Sequence, residues 1–441
     1  MTLQGNRTFV GFGFGAIQGG LFLYEAFESR NFRRLVVAEV LADVVRAVRA
    51  AGGRFPVNIV HGDWVETAQV GPIEIEDPAV TADRARLIEA VAVADELATA
   101  VPSVQFYVSP GPGSIHRILA EGLRRKAAAH GPRAVVYAAE NHNHAAEILE
   151  EAVLGEVPSA EQTAVRARVR FLNTVIGKMS GVVTEPESIA ARGLAPLSPQ
   201  IQRAFLVEVF NRILISKINF DESRTEPPYQ RGITVFEEKP DLLPFEEAKL
   251  YGHNATHALA AYLGATRGGA ETIADLRRFP EIVSFLRAAF ILESGEALCR
   301  KHASVDRLFT RAGYEEYADD LLERMFNPFL CDTVERVGRD PQRKLGWDDR
   351  LIGTMRVALG QGVQPVRYAF GAAAGLATMD RSILEKNSPV AKLVDPLWGD
   401  ASPAARERES VLVLLEDARD RLRMWIDSGF PDPEGLFPHQ N

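Results

Sequence analysis

Short apolar runs and amphipathic stretches alternate over about the first 200 residues of the chain. In residues 83–101, apolar side chains recur at every third or fourth position, which is typical of a helix that buries one face. The runs between such stretches are rich in β-branched and aromatic residues, which is typical of strands in a parallel sheet with helices on both faces. The predicted strands are residues 7–13, 33–40, 57–62, 103–111 and 133–141, with 180–184 and 205–216 completing or extending the sheet.

The pattern changes after about Asp241, where strand-like runs nearly disappear and helical spacing dominates. A chain of 441 residues is too long for one compact core of typical size, so at least two domains are expected. We predict an α/β domain with a mostly parallel sheet over residues 1–205, with 205–216 as a candidate extension of that sheet. The remainder, residues 206–441, is predicted to be all-helical, with a charged, Pro-Pro-containing surface loop at 221–232.

A glycine-rich segment, GFGFGAIQGG, lies between the first predicted strand and the first predicted helix. Such a turn is typical of a Rossmann-type dinucleotide site, because backbone N–H groups at the helix N-terminus bind the pyrophosphate. Read from Gly13, the third glycine of the motif is replaced by Gln18, and an ordinary tight turn is the alternative interpretation. The predicted cofactor contacts in this loop are Gly13, Gly15, Ala16, Ile17 and Gln18.

Two further features concern the dinucleotide, one at its ribose and one at its nicotinamide. Glu39 ends the second predicted strand, where its carboxylate can accept hydrogen bonds from a ribose diol and would repel a 2′-phosphate, so NAD is predicted rather than NADP. The alternative is a solvated glutamate at a helix start. A second glycine-rich loop, residues 109–114, either places Pro110 and Gly111 on the nicotinamide side or forms only a tight turn.

Composition narrows the possible partners and the compartment. Apolar residues make up 46% of the chain and the net charge is −9, which is typical of a globular protein and disfavours nucleic acid and anionic membranes as partners. Cys299 and Cys331 are the only cysteines, so no disulfide framework is expected and a reducing cytosol fits. The apolar N-terminus is broken by glycines and does not read as a signal peptide. We therefore expect a cytoplasmic monomer or small homo-oligomer with a small-molecule substrate.

The segment KLYGHNATH carries the candidate chemistry, with the spacing K-x4-N-x2-H. Hydride transfer from an alcohol requires a group that accepts the hydroxyl proton and donors that stabilise the oxygen. Lys249 with a lowered pKa can be that base, Asn254 can donate to the oxygen and His257 can bind a second hydroxyl. Lys249 and Asn254 do not share a face of an unbroken α-helix, so we predict that Gly252 interrupts the helix and Asn254 begins the next one. Taken singly, the alternatives are a solvated lysine, an N-cap asparagine and a core histidine.

Together with NPFLCDTVERVGRDPQRKLGWDDRLI (residues 327–352), this segment resembles the polyol-specific long-chain dehydrogenase/reductase family. GFGAIQGG, VVAEVLADVV, AAENHNHAAEIL and AFILESGEAL extend the resemblance over most of the chain. The resemblance implies a metal-independent, NAD(P)-dependent enzyme with a Rossmann-type domain and a helical substrate domain. It also implies that Lys249 is the general base, that Asn254 and Asn141 donate to the reacting oxygen, and that His257 binds a substrate hydroxyl.

The chain departs from the family pattern at two places. Gly19 occupies a position where the family usually carries arginine, which leaves one cofactor or phosphate contact open. Residues 177–183, GKMSGVV, lack the usual Arg-Val-Pro character of that region.

A cluster of cations in VGRDPQRKL suggests the substrate class. Arg339, Arg343 and Lys344 can bind a terminal phosphate, and the block is most similar to the phosphate-using branch of the family, which acts on mannitol 1-phosphate. We therefore expect interconversion of a hexitol phosphate with a ketose or hexose phosphate of the fructose 6-phosphate type. Alternatively, these cations brace a loop by pairing with the acidic residues Asp332, Glu335, Asp348 and Asp349.

Other functions stay open from the sequence. A free-polyol 2-dehydrogenase of the mannitol type and a sugar-acid reductase belong to the same family. A zinc-dependent site is a rival, because histidines and a glutamate recur in two segments. A non-catalytic NAD-binding sensor is a third class. The candidate zinc ligands are His142, His144, Glu147, His253 and His257.

Overall fold

The computed structural model describes residues 5–220, 227–330, 332–385, 389–401 and 403–437. The chain forms two compact units, the first ending at Leu242 and the second beginning at Leu243. This boundary lies after residue 205 because one strand spans that residue and two later strands still pair within the sheets of the first unit. Part of the predicted loop, residues 221–226, and Cys331 lie outside the described residues.

The first unit is built on a mostly parallel sheet, as the pattern of apolar runs predicted. Its two sheets use strands β1 (Arg7–Phe12), β2 (Phe32–Ala38), β3 (Phe55–Val60), β4 (Val65–Val70), β5 (Glu74–Glu76), β6 (Glu96–Thr99), β7 (Ala134–Ala138), β8 (Val169–Ile176), β9 (Ser180–Val183), β10 (Ala204–Glu208), β11 (Ile213–Ser216) and β12 (Phe236–Lys239).

The main sheet has eight strands in the order β12-β11-β8-β7-β6-β1-β2-β5. All neighbours are parallel except β11, which runs antiparallel to β8 and parallel to β12. The strands β1, β2, β6 and β7 therefore end at one edge, where residues after their carboxyl ends can line a ligand site.

A second sheet of four strands has the order β4-β3-β10-β9. The predicted third strand of the main sheet, residues 57–62, corresponds to β3 and belongs to this second sheet instead. The run 205–216 divides into β10 and β11, which lie in different sheets. Continuous apolar, β-branched runs identified these strands but carried no information on which sheet each one joins.

One predicted strand is wrong. Residues 103–111 contain a 3-10 helix, Val104–Tyr107, while the strand that pairs with β1 is β6, inside the predicted helix at 83–101. The helix there ends at Val93. All four residues of β6 are buried, and so short an apolar run cannot be distinguished from the end of an apolar helix by periodicity.

Helices cover the sheets of the first unit. They are α1 (Tyr24–Ser29), α2 (Ala42–Ala50), α3 (Thr81–Val93), α4 (Ile115–Ala128), α5 (Ala145–Gly155), α6 (Ser159–Arg168) and α7 (Pro186–Ala191), with a π-helical turn, π1 (Gln18–Leu23), leading into α1.

The second unit is all-helical, as predicted. Among the described residues, no helix of either unit combines the length and apolar character needed to cross a membrane. The helices are α8 (Leu243–Glu247), π2 (Ala248–Asn254), α9 (Ala255–Arg267), α10 (Pro280–Ala288), π3 (Ala289–Gly295), α11 (Glu296–Lys301), α12 (Arg311–Met325), α13 (Val334–Gly338), α14 (Pro341–Lys344), α15 (Arg350–Gly360), α16 (Val366–Met379), α17 (Ala391–Trp398) and α18 (Ala405–Asp427).

Helices α9 and α16 form the centre of this unit. Most of their residues are buried, and a Cβ on Gly371 of α16 would lie 2.1 Å from Leu259 Cδ1 of α9. The absence of a side chain at Gly371 therefore permits the close approach of the two helices. This packing fixes α9, and with it the π2 turn that precedes α9 without a break.

Candidate active site

The glycine loop after β1 has the geometry of a dinucleotide-binding turn. Gly13 has φ +86°, and a Cβ there would lie 2.6 Å from the carbonyl oxygen of Ala100. A Cβ on Gly15, in contrast, would meet nothing within 4 Å. Gly19 N donates to Gly15 O at 2.8 Å, so the helix begins here and its first N–H groups face away from the helix body. The loop therefore has the glycine, the open space and the N–H groups that a pyrophosphate requires.

Gln18 and Gly19, the two unusual positions of the loop, are both buried. A Cβ on Gly11 in β1 would lie 2.1 Å from Gln18 Nε2, so Gly11 supplies the close helix–strand packing that the third glycine of the motif normally gives. The Gln18 side chain is fully buried, so any cofactor contact of this residue is through its backbone. A Cβ on Gly19 would lie 2.6 Å from Phe205 Cε2, which leaves no room for the arginine usual in the resembling family.

Glu39 lies directly after β2, beside the same loop. Its backbone N–H donates to Glu76 O at 3.0 Å, and its Oε1 accepts the N–H of Leu41 at 2.8 Å. Its Oε2 makes no hydrogen bond to a described residue. The carboxylate is therefore held in place by one oxygen and has an acceptor left for a ribose hydroxyl.

Pro110 and Gly111 lie in the long connection between β6 and α4. Both residues are exposed, and Gly111 has φ +91° while its carbonyl oxygen accepts from Arg117 Nη1 at 2.9 Å. A Cβ on Gly113 in the same loop would lie 2.7 Å from Pro78 O, after the end of β5. The loop thus lies at the carboxyl edge of the sheet, although it follows a 3-10 turn rather than the predicted strand.

Asn141 follows β7 at the same carboxyl edge of the first unit, and its side chain is exposed. The preceding residue, Glu140, is buried and accepts hydrogen bonds from Thr99 Oγ1 and Val101 N, both at 2.9 Å. These bonds hold the start of the loop that contains Asn141, since Asn141 is the next residue along the chain.

In the second unit, Lys249, Asn254 and His257 lie on one continuous helical run through α8, π2 and α9. The predicted break at Gly252 is wrong, and Asn254 has helical φ and ψ with no side-chain capping bond. The π-helical turn, with i to i+5 hydrogen bonding, brings residues five apart above one another, so Lys249 and Asn254 share a face. The π turn thus brings Lys249 and Asn254 to one face, which is the effect for which the break was predicted.

Gly252 serves packing in this turn. A Cβ there would lie 2.5 Å from Tyr314 Oη and 2.8 Å from Phe290 Cε2. Any larger residue would push π2 away from α12 and π3, and so displace the helix that carries Lys249.

The electrostatic environment lowers the pKa of the Lys249 amine towards neutral pH. Burial, and then the positive charge of Arg350, lower the pKa of Lys249 to about 8, while Glu246 acts in the opposite direction. A lysine with this pKa has a substantial neutral fraction near physiological pH, which a general base requires.

His257 is held as a neutral imidazole. Burial, followed by the charges of Arg336 and Arg350, lowers its pKa to about 3. Its Nε2 lies 3.4 Å from Asp332 Oδ2 but makes no hydrogen bond to a described residue. The imidazole is neutral despite this nearby carboxylate, because Asp332 is already paired closely with Arg336. Nε2 is therefore a buried polar atom without a satisfied partner, facing the acceptor Asp332.

The three predicted phosphate ligands differ in their burial and in their partners. Arg343 is exposed and its Nε donates to Asp340 Oδ2 at 2.7 Å, so the bracing alternative holds for this residue, with a different acid from those named. Arg339 is also exposed. Lys344, in contrast, is 7% exposed and has no ion pair or hydrogen bond through its amine in the described part of the chain. Burial, then the charges of Arg350 and Arg343, lower its pKa to about 8.

Arg350 is the functional candidate that the sequence analysis missed. Its side chain is 12% exposed, and its charge contributes to the lowered pKa values of Lys249, His253, His257 and Lys344. The signal was present as Asp-Asp-Arg at a helix start within the block that carries the family resemblance, but an N-cap aspartate explained it equally well.

The histidines of the zinc alternative do not assemble into a ligand set. Among the described residues, no group of three or more His, Cys, Asp or Glu side chains could hold a metal ion. His253 and His257 have ring centroids 6.2 Å apart, and His142 and His144 form a second pair in the other unit.

Comparison with known proteins finds a matching domain family and relatives whose names agree with it. The profile of the mannitol dehydrogenase C-terminal domain matches residues 241–419. The chain is 31% identical to a mannitol-1-phosphate 5-dehydrogenase of Bacillus pumilus, over 83% of this chain and 86% of that protein. The corresponding protein of Bacillus licheniformis is 29% identical over 82% of this chain and 86% of its own length.

Solved structures share the fold over nearly the whole chain. A substrate-free D-sorbitol dehydrogenase superposes with a TM-score of 0.73 at 15% identity, covering 97% of this chain and 95% of that one. The mannitol 2-dehydrogenase of Pseudomonas fluorescens, in a ternary complex with NAD and D-mannitol, has a TM-score of 0.68 at 16% identity, covering 99% and 94%. With the relatives in Bacillus and the matched domain, these structures confirm the predicted fold class and family, and the chain belongs to the polyol-specific long-chain dehydrogenases/reductases, the family of the mannitol dehydrogenases.

Proposed function

We propose that the protein is an NAD-dependent, metal-independent oxidoreductase that interconverts a hexitol phosphate, of the mannitol 1-phosphate type, with a ketose phosphate of the fructose 6-phosphate type. The observation that carries the proposal is the π2 turn, which places Lys249 and Asn254 on one face with the lysine pKa lowered to about 8. The mannitol-1-phosphate 5-dehydrogenases among the relatives support the same class.

In the oxidising direction the substrate carbinol loses a hydride and a proton. Bound NAD supplies the hydride acceptor. The neutral Lys249 Nζ accepts the hydroxyl proton, and the Asn254 side-chain amide donates to the oxygen as negative charge develops on it. His257, neutral and next to Asp332, binds a further substrate hydroxyl. The family resemblance assigns a second donor role to Asn141 of the first unit.

The first unit supports NAD as the dinucleotide. The N–H groups at the start of the helix after Gly15 would hold the pyrophosphate, and Glu39 would accept from the ribose diol. A 2′-phosphate at the same position would be repelled by the Glu39 carboxylate.

Phosphate recognition is assigned mainly to Lys344. A buried ammonium without a direct ion pair is costly, and a phosphate oxyanion would supply a close negative charge. Arg339 and Arg343 are exposed and contribute at longer range. The sequence suggested all three cations as phosphate ligands, whereas the burial of Lys344 favours the lysine.

The pH dependence of the two reaction directions follows from the lowered pKa of Lys249. Oxidation needs the neutral amine, so kcat/KM for hexitol phosphate oxidation should fall as pH decreases through about 8. Reduction needs the ammonium, so kcat/KM for ketose phosphate reduction should fall as pH increases through the same value. Initial rates in both directions over a pH series measure this. Two profiles with the same slope near this pH would contradict the assignment.

Glu39 is expected to set the preference for NAD. Glu39→Ser should weaken NAD binding about tenfold, because a charged hydrogen bond to the ribose is lost, and should improve binding of NADP relative to NAD. Asp43→Ser is the matched control, since Asp43 is an exposed carboxylate at the start of α2. Dissociation constants from fluorescence titration decide the matter, and an unchanged NAD to NADP ratio in the Glu39 variant would exclude this role.

A substrate panel tests the function itself. NADH formation is measured with hexitols and hexitol phosphates, and NADH consumption with the corresponding ketoses, ketose phosphates and sugar acids. Turnover of a hexitol phosphate well above the free hexitols is the expected result. Preferred turnover of free mannitol would identify a polyol 2-dehydrogenase, and turnover of sugar acids a reductase. Tight NAD binding without any turnover would identify a sensor.

A further inference from the structure

Glu140 is a buried carboxylate at the carboxyl edge of the main sheet, directly before Asn141. It is 5% exposed and accepts three hydrogen bonds from β6 and from the connection that follows β6. Thr99 Oγ1 donates to Oε2 at 2.9 Å, Val101 N donates to Oε1 at 2.9 Å, and the Tyr107 hydroxyl donates to Oε2. The carboxylate therefore joins the end of β7 to the end of β6 and to the loop beyond it.

The bond from Val101 relates Glu140 to the glycine loop after β1. A Cβ on Gly13 would lie 2.6 Å from the carbonyl oxygen of Ala100 and 3.2 Å from Val101 Cγ1. Gly13 thus packs closely against the two residues that follow β6. Because Val101 N also donates to Glu140, the carboxylate is tied to the same strand end on which the predicted pyrophosphate turn rests.

Tyr107 relates the same carboxylate to the second glycine-rich loop. Its side chain is fully buried, and its carbonyl oxygen accepts from Ser114 Oγ at 3.2 Å. Ser114 Oγ in turn accepts the backbone N–H of Ser109 at 2.9 Å, which closes the loop that contains Pro110 and Gly111. Both predicted cofactor loops are therefore anchored, through one or two residues, to the Glu140 carboxylate.

The backbone around Asn141 is held on both sides. The carbonyl oxygen of Glu140 accepts the N–H of His142 at 2.8 Å, so the chain turns tightly about Asn141. Beyond this turn, the side chain of Asn173 in β8 is buried, and its Oδ1 accepts the N–H of Ala146 in α5 at 2.9 Å. A buried carboxylate before Asn141 and a buried amide after it thus fix the ends of the short segment that carries it.

We propose that Glu140 is a positioning residue for the reaction, whose carboxylate holds Asn141 at a fixed place relative to Gly13 and to the loop after Tyr107, so that the Asn141 amide meets the reacting oxygen beside the nicotinamide. The inference rests on the function proposed above and on the donor role of Asn141. Hydrogen bonds to a charged, buried acceptor are stronger than neutral ones, and removing one donor leaves that acceptor poorly satisfied. The three bonds to Glu140 therefore make a rigid anchor.

A second buried carboxylate of the same sheet provides the matched control. Glu96, the first residue of β6, is fully buried and accepts from the Tyr137 hydroxyl at 2.9 Å. The backbone N–H groups of Gly232 and Ile233 also donate to it. Glu96 lies at the opposite edge of the sheet from Asn141. Glu96→Gln and Tyr137→Phe therefore remove comparable buried hydrogen bonds without touching the segment that carries Asn141.

The first test follows the Asn141 side chain in protein without substrate or cofactor. Selective 15N-asparagine labelling gives one pair of side-chain amide signals for each asparagine, and the pair that disappears in Asn141→Ala belongs to Asn141. Glu140→Gln and Tyr107→Phe should each shift this pair. The two control variants, Glu96→Gln and Tyr137→Phe, should leave it in place. An unmoved pair in folded Tyr107→Phe would overturn the proposal, as would an equal shift in the controls.

Activity supplies the second test, as a double-mutant cycle. Tyr107→Phe should lower kcat for hexitol phosphate oxidation about ten- to a hundredfold, because a slightly misplaced donor is costly. The dissociation constant for NAD should change little, since Val101 keeps its bond to Glu140.

In the Asn141→Ala background the same Tyr107→Phe change should have almost no further effect on kcat, because its effect is transmitted through Asn141. Equal losses in both backgrounds would overturn the proposal. The amide signals require no turnover, so they decide the role of Glu140 even if the substrate panel shows no reaction, a result that would instead refute the proposed function.

Discussion

Lys249→Ala is expected to lower kcat for hexitol phosphate oxidation by about 10²- to 10⁴-fold, the usual contribution of a positioned general base. NAD affinity should stay nearly unchanged, because the predicted cofactor contacts lie in the first unit, around Gly13 and Glu39. Steady-state rates and NAD titrations of the purified variant measure both quantities.

Two further variants separate base chemistry from loss of structure. Lys249→Arg keeps a positive charge that cannot be removed near neutral pH, so it should be as inactive as Lys249→Ala. Lys392→Ala removes an exposed lysine of the same unit and should have wild-type activity. Appreciable oxidation by Lys249→Arg would argue against a deprotonated amine as the base, and loss of NAD binding would mean that Lys249 has been placed wrongly.

Lys344→Met should raise KM for mannitol 1-phosphate by about 10- to 100-fold, with a small effect on KM for free mannitol. The reason is that a charge-assisted contact to the phosphate is lost, while the buried Lys344 amine makes no direct ion pair or hydrogen bond with a described residue. KM values for the phosphorylated and free hexitol, measured in parallel, give the discrimination.

Arg343→Met is the matched comparison for Lys344, because the two cations are neighbours in α14. Arg343 is exposed and paired with Asp340, so its replacement should change KM for the phosphate substrate by much less. Equal effects on phosphorylated and free hexitols in Lys344→Met would reject a phosphate-binding role and favour a free-polyol enzyme.

In the second unit, the sequence predicted which residues lie together at one helix start, but not the local geometry of that helix. Residue types and spacing identified Lys249, Asn254 and His257 as a group, but the spacing of five required a break in an α-helix. The chain uses a π turn instead, and Tyr314 and Phe290 pack closely against its Gly252. Such a turn is decided by tertiary packing and leaves no periodic signal in the sequence.

In the first unit, the sequence did not reveal one strand or the reason for one unusual glycine. β6 was hidden because four buried residues after a helix continue its apolar character. The departure at Gly19 was visible in the sequence, but its cause, the ring of Phe205 on a strand far along the chain, was not. The contribution of Arg350 to the lowered pKa of Lys249 was also hidden, since no local pattern in the sequence relates the two residues.

Chemical rescue of Lys249→Ala tests the central claim most directly. Small primary amines added to this variant should restore hexitol phosphate oxidation in proportion to amine concentration, with more basic amines rescuing better when their neutral concentrations are matched. Lys249→Arg should not respond, because its side chain fills the space. Failure of every amine to restore turnover in a folded, NAD-binding Lys249→Ala protein, together with substantial residual activity, would contradict proton transfer to this amine.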